Sequence, residues 1–204
     1  DEVARLGAEA AALTHGHELG YIPAAALVHI VHTVSHSEDP LLVDAVWNAM
    51  SAVRRLFPGA EHLDELEALV RMAVELSQSG LGDPDAIRML GEGWVAEETL
   101  AIAVYCALKY ENDFDRALIA AVNHGGDSDS TGSVTGNILG ARLGARAIPE
   151  KYLARLELRD VISEIADDLF IGCGISGYGP YRDEPWVSKY VFMTYAPTVR
   201  GKGS

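Results

Sequence analysis

Residues 118–147, LIAAVNHGGDSDSTGSVTGNILGARLGARA, constrain this chain more than any other stretch. An apolar run, Leu118 to Val122, breaks at Asn123-His124-Gly125-Gly126. Two carboxylates follow, Asp127 and Asp129, among the hydroxyls of Ser128, Ser130 and Thr131. Beyond them Gly132, Gly136, Gly140 and Gly144 recur every four residues. The Gly125-Gly126 pair lets the backbone adopt positive φ or approach a ligand closely. Residues two apart on a helix point to nearly opposite faces, so Asp127 and Asp129 converge only on irregular backbone. The reading is a turn just before a helix, with Ser130 or Thr131 near its N-cap. Carboxylates and hydroxyls are hard oxygen ligands, suited to Mg²⁺, Mn²⁺ or Ca²⁺ and poor for zinc. Two carboxylates held together repel each other, and a divalent cation removes that cost. A helix-interior glycine costs about 1 kcal/mol relative to alanine. Four at one spacing predict that another helix backbone packs against the stripe. Arg142, Arg146 and Asn137 exclude a membrane span here.

The remainder of the chain reads as helices. Val3 to Leu13 forms the first, ending at Thr14-His15-Gly16-His17. Pro23 suits the first turn of a second, Ala24 to about His36, with Leu27, Ile30, Val31 and Val34 as its apolar stripe. His29 and His32 lie off that stripe, either as a solvent-facing row or as an i,i+3 metal pair. Asp39-Pro40 reads as an N-cap and first-turn pair for a helix that runs to Phe57. Glu61 to Ser79 follows, with Gly80 as its C-terminal cap. Asp83-Pro84 starts a short helix ending near Gly91. Trp94 to Tyr110 comes next, and Asn112 or Asp113 caps the helix leading to Val122. Pro149 opens a short helix, and Leu158 to Phe170 is amphipathic. From Gly172 the glycines, prolines and aromatics read as a loop. No strand pairs or repeats are evident. The expectation is an all-α fold, one domain over residues 1–204.

Composition narrows the function class. The chain has 204 residues, 49% of them hydrophobic, enough for a sizeable core. A formal net charge of -14 argues against a nucleic-acid partner. Small anionic ligands stay open, because bound cations reverse the local field. Cys106 sits in an apolar run and reads as core. With Cys173 as the one other cysteine there is no disulfide framework, which suits a reducing cytoplasm. No signal peptide or membrane span is visible.

Three motif readings compete for Asp127-Ser-Asp129-Ser-Thr131-Gly132. An EF-hand loop fits Asp127, Asp129 and Gly132 but would need glutamate where Ile138 stands. An Asp-x-Asp-x-Thr phosphotransferase motif would need a strand ending at Asp127, where Asn-His-Gly-Gly stands instead. The whole stretch, Asn-x-Gly-Gly-Asp-x-Asp-Ser with its glycine-every-four helix, resembles the ADP-ribosylglycohydrolase family of the dinitrogenase-reductase-activating type. Leu13-Thr-His-Gly-His17 with Gly20-Tyr-Ile-Pro-Ala24 is similar to the family's mid-chain segment. Gly93-Trp-Val-Ala-Glu-Glu-Thr-Leu100 and Leu156-Glu-Leu-Arg-Asp-Val161 are similar to bacterial members.

The resemblance implies an all-helical fold binding two divalent cations, Mg²⁺ or Mn²⁺. It implies hydrolysis of the glycosidic bond joining ADP-ribose to a protein side chain or a small acceptor. On that pattern Asp127, Asp129 and Ser130 supply metal oxygens, Ser130 standing where the family usually has threonine. Gly125 and Gly126 let backbone approach ribose and phosphates. His15 lies near the ADP-ribose pocket, or is a loop histidine bonded to backbone. Glu98 lies close to the site, or belongs to a first helical turn where acids are favoured. The implied mechanism is metal-assisted glycoside hydrolysis through an oxocarbenium-like transition state, with the catalytic acid or base unassigned. The family also carries an earlier Gly-x-x-x-Gly-Asp segment and a Thr-Asp-Asp-Thr metal motif, which nothing in residues 1–204 matches. The expectation is a C-terminal portion of a larger enzyme, with a second chain supplying the other half as one alternative. Binding of ADP-ribose without turnover, and a helical protein with one structural Ca²⁺ or Mg²⁺ turn, also remain open.

Overall fold

The structure is a computed structural model that describes residues 1–38, 40–172 and 184–192. All of its regular elements are helices. They fall into two compact units, Asp1–Pro149 and Glu150–Ser204. The first holds α1 (Glu2–Ala12), α2 (Glu18–His36), α3 (Leu42–Leu56), α4 (Leu63–Ser77), α5 (Asp83–Leu90), α6 (Ala96–Lys109), α7 (Phe114–Val122) and α8 (Ser128–Leu143). The second holds α9 (Glu150–Leu153), α10 (Arg159–Ile171) and α11 (Glu184–Tyr190). The all-α class expected from the sequence is the one observed.

The first unit is built around α6. Every residue from Thr99 to Ala107 is buried, the pattern of a helix enclosed on all sides. It packs against α2, α4, α7 and α8. Its small residues, Ala101, Ala103 and Ala107, let those neighbours approach, while Tyr105 and Ile102 fill the gaps between them. Tyr105 brings a hydroxyl into this core and satisfies it at 2.7 Å on Asp83 Oδ1 of α5. Tyr110 bonds the other oxygen at 2.8 Å, and Lys109 pairs with Asp83 at 2.8 Å. The N-terminus of α5 is therefore tied to the C-terminal end of α6.

Several boundaries differ from the sequence reading. α2 begins at Glu18, not at Ala24, and contains Pro23 as its sixth residue. There the missing N–H removes one ladder bond, to the Leu19 carbonyl; separately, His17 caps the helix start by accepting the Leu19 N–H at 3.2 Å. α3 begins at Leu42 with Leu41 as its N-cap; Asp39, expected to cap it, lies outside the described residues. α4 ends at Ser77 with Gln78, not Gly80, as its C-terminal cap, and the Ser77 and Ser79 hydroxyls bond carbonyls of its last turn. Asp83, Asp113 and Gly91 mark helix ends as read.

The glycine stripe is the larger correction. A Cβ on Gly132 would meet Val122 Cγ1 of α7 at 2.6 Å, but Gly136, Gly140 and Gly144 have nothing within 4 Å of theirs. Only the first glycine mediates a close helix contact. Gly144 instead ends α8 with φ 77°.

In the second unit, Lys189 of α11 pairs with Glu164 at 2.6 Å and with Asp168, and the Tyr190 hydroxyl donates to Asp168 at 2.5 Å. Residues 184–190, read as part of a loop, are helical; residues 173–183 of that loop lie outside the described residues. No helix among the described residues is long and apolar enough to cross a membrane.

Candidate functional site

α8 starts at Ser128 with Asp127 as its N-cap, about one turn before the expected Ser130 or Thr131. Asp127 precedes the helix and Asp129 occupies its first turn. This break in regularity turns both carboxylates to one side, where they line a cavity of about 540 Å³ together with Ser130 and Ser133. The Asp127 carboxyl is held below the usual carboxylate value. The largest cause is hydrogen bonding with the Asp129 carboxyl, then with the Ser130 hydroxyl, while desolvation opposes. The opposite wall comes from Pro23, Ala24 and Leu27 of α2, and the rim from Gly93, Trp94 and Val95.

Thr131, read as a cap, is instead a buried strut. Its hydroxyl donates to the Ala121 carbonyl at 2.7 Å and pairs with His124 Nε2 at 2.9 Å. The Gly126 N–H donates to His124 Nδ1 at 3.1 Å. Nδ1 is thus the acceptor, so Nε2 carries the hydrogen that Thr131 receives. This chain of bonds locks the turn between α7 and α8 and fixes where Asp127 begins.

The turn is also bolted to the segment before α6. The Asp127 N–H donates to the Glu92 carbonyl at 2.8 Å. A Cβ on Gly126 would lie 1.7 Å from that carbonyl oxygen. Gly126 therefore serves a close approach of protein backbone. Gly93, at φ 80°, packs against Thr131 and the Asp127 carbonyl, where a Cβ would come within 2.8 Å and 3.5 Å of them. Glu98 supports the same loop: its Oε2 accepts the N–H of Glu92 at 3.0 Å and of Gly93 at 2.9 Å. The carboxylate is oriented toward its own loop and is not among the residues lining the carboxylate cavity.

The candidate residues thus separate into three places. Asp127, Asp129 and Ser130 share the first cavity. His15 lines a second, of about 560 Å³, with His17, Trp94 and Glu97; Trp94, Val95 and Ala96 belong to both and form the lip between them. His15 is bonded to Thr14 Oγ1 at 2.8 Å, and Gly20 leaves room for its Cβ. Gly125 and Gly126 line a third, smaller hollow of about 190 Å³ beside Arg88 and His124. Sequence reasoning missed Trp94 as a site residue. Its signal was a large aromatic immediately before a helix N-terminus, and the side chain is 66% exposed, held at Nε1 by Glu92 at 3.0 Å.

The donor set at Asp127, Asp129 and Ser130 fits a hard divalent cation: two carboxylates and a hydroxyl on one wall. Among the described residues no group of three or more His, Cys, Asp or Glu side chains converges to hold a metal. His32 and His36 stack at 4.2 Å on the exposed side of α2, and His29 bonds Thr33 instead of joining them.

The sequence model of the ADP-ribosylglycohydrolase family matches residues 1–177. The chain belongs to the ADP-ribosylglycohydrolase family. Among curated proteins it is 30% identical over 169 residues to mouse ADP-ribosylhydrolase ARH3, covering 73% of this chain and 45% of that protein. The human ARH3 protein is 28% identical over the same length, covering 73% and 46%. ADP-ribosylarginine hydrolase Tri1 of Serratia proteamaculans is 38% identical over 86 residues, 42% of this chain and 22% of that protein. The chain spans about half the length of the ARH3 proteins it matches. No solved structure gives a significant match.

Proposed function

We propose that this chain forms the α8 side of the active site of an ADP-ribosyl hydrolase that works with two divalent cations, Mg²⁺ or Mn²⁺. The carrying observation is the convergence of Asp127, Asp129 and Ser130 at the start of α8, on the wall of a cavity large enough for a small-molecule ligand. Family membership gives that geometry its chemistry. The substrate is an ADP-ribosylated protein or a small ADP-ribosyl compound.

Asp127, Asp129 and Ser130 hold the cations. When bound, these supply Lewis acidity and orient the ribose hydroxyls and the attacking water. Three side chains are too few to fill the shells of two such ions, so water, substrate and a further protein segment would complete them. The His124–Thr131 strut and the Glu98-braced loop keep the carboxylates fixed, which lowers the reorganisation needed during reaction. Trp94 shields the reacting bond from one side. His15 lies across the Trp94–Ala96 lip and binds a more distant part of the nucleotide.

A second reading, binding of ADP-ribose without turnover, draws support from one observation: the two carboxylates have no third acid beside them among the described residues. One assay separates the two. Full-length protein is incubated with an ADP-ribosylated protein, with Mn²⁺ or with excess chelator, and free ADP-ribose is measured. Release with Mn²⁺ and none with chelator supports hydrolysis. Tight ADP-ribose binding with no release overturns it.

A further inference from the structure

α2 carries His29, His32 and His36 at positions that share one helix face. The hydrolysis proposed above uses none of them. None lines the carboxylate cavity or either of the other two cavities described above. His32 and His36 are exposed, and His29 is half-buried.

The hydrogen bonds sort the three. His36 Nδ1 lies 3.0 Å from the His32 carbonyl oxygen and 3.0 Å from the Ser35 hydroxyl. A carbonyl only accepts, and Ser35 spends its own hydrogen on the Val31 carbonyl at 2.7 Å. The hydrogen of the neutral His36 ring therefore sits on Nδ1, and Nε2 keeps its lone pair. Metal-bound imidazoles have this arrangement, the second nitrogen donating to a carbonyl that fixes the tautomer. Among the described residues nothing bonds a ring nitrogen of His32, whose ring lies 4.2 Å from that of His36, centroid to centroid. His29 is drawn away: the Thr33 hydroxyl donates to the His29 carbonyl at 2.8 Å and its oxygen faces His29 Nδ1 at 3.4 Å.

Two imidazoles at i and i+4 on one helix face are the spacing with which His-Glu-x-x-His helices hold zinc. The exposed His32 ring turns readily, so both lone pairs reach one ion. The pair stands in the last turn of α2, where unpaired carbonyls favour a cation. Thr33 follows the first histidine where that motif has its glutamate base, so the pair is suited to holding an ion and not to activating water.

We propose that His32 and His36 form a two-histidine site for a borderline transition-metal ion, Zn²⁺, Ni²⁺ or Cu²⁺. Imidazole suits these ions, whereas the carboxylates of Asp127 and Asp129 suit Mg²⁺ or Mn²⁺. No third His, Cys, Asp or Glu joins the pair among the described residues, so water fills the remaining positions. The site is independent of the ADP-ribose reading.

The test is calorimetric titration of the full-length protein, carrying no histidine tag, with Zn²⁺ in excess Mg²⁺. Magnesium competes for the carboxylates and not for imidazole. Wild type should bind one zinc equivalent that His32→Ala and His36→Ala each weaken about tenfold or more, the scale on which even an outer partner of a metal ligand matters. His29→Ala and Asp127→Ala should leave it unchanged. Both substituted ligands are exposed helix positions where alanine is the better helix former, so the variants keep the fold. No zinc binding by wild type, or binding that survives both substitutions, overturns the proposal. Equal weakening by His29→Ala overturns the two-residue site, and loss confined to Asp127→Ala places the ion at the carboxylates and overturns it as well.

Discussion

Gly126 and Gly136 look alike in the sequence and stand in opposite surroundings. At Gly126 a methyl group would lie 1.7 Å from the Glu92 carbonyl oxygen, and that oxygen also receives the Asp127 N–H. Gly126→Ala should therefore cost roughly 3 kcal/mol or more, measured by denaturant unfolding. At Gly136 nothing lies within 4 Å, so Gly136→Ala should stabilise by about 0.5–1 kcal/mol through helix propensity alone. Equal effects at the two positions would contradict the packing described. The sequence could say that glycine was needed near Asp127; it could not say for what. Spacing cannot distinguish a backbone that must come close to another backbone from one that must come close to a ligand. The same ambiguity applies to Glu98, an acid in a first helical turn whose carboxylate caps a loop five to six residues earlier.

Helices were legible where local chemistry decides them. Asp113 accepts the Arg116 N–H at 3.0 Å, and Asp83-Pro84 opens α5. They were misplaced where tertiary burial outweighs a local signal: Pro23 is buried inside α2, and the apolar positions before it, Leu19 and Ile22, extend that helix into the core. The junction of α5 and α6 carries a pH prediction. Burial works against the charge of Asp83, but Lys109 and the hydroxyls of Tyr105 and Tyr110 outweigh it and hold its carboxyl below the ordinary 3.8. A lowered native value means that ionised Asp83 stabilises the fold at and above the ordinary carboxyl range. That contribution disappears as pH falls through the native value. Asp83→Asn should lower the melting temperature at neutral pH and flatten its fall between pH 5 and roughly pH 2. A mutant curve parallel to wild type over that range would show that the network does not stabilise through charge.

Across the whole molecule, segments far apart in the sequence make the candidate site: the first turns of α2, the loop before α6 and the turn into α8. Only the last announced itself, because its chemistry is contiguous in Asn123–Thr131. The α2 and Trp94 walls became visible only when packing around α6 brought them together. The acidic balance of the chain sharpens the central claim, since two more carboxylates at one point are costly unless a cation meets them. Thermal unfolding with and without Mn²⁺, paired with a hydrolysis assay, tests this on wild type, Asp127→Ala and Asp129→Ala in the full-length protein. Without metal Asp127→Ala should melt slightly below the wild-type temperature, because the hydrogen bonds that hold its carboxyl below the ordinary value are lost. With Mn²⁺ the upward shift of wild type should shrink in both mutants, as binding stabilises in proportion to saturation, and hydrolysis should fall about a hundredfold or more, the scale of lost charge stabilisation in a transition state. Either mutant retaining the full Mn²⁺ shift and full metal-dependent hydrolysis would contradict the assignment of Asp127 and Asp129 as cation ligands.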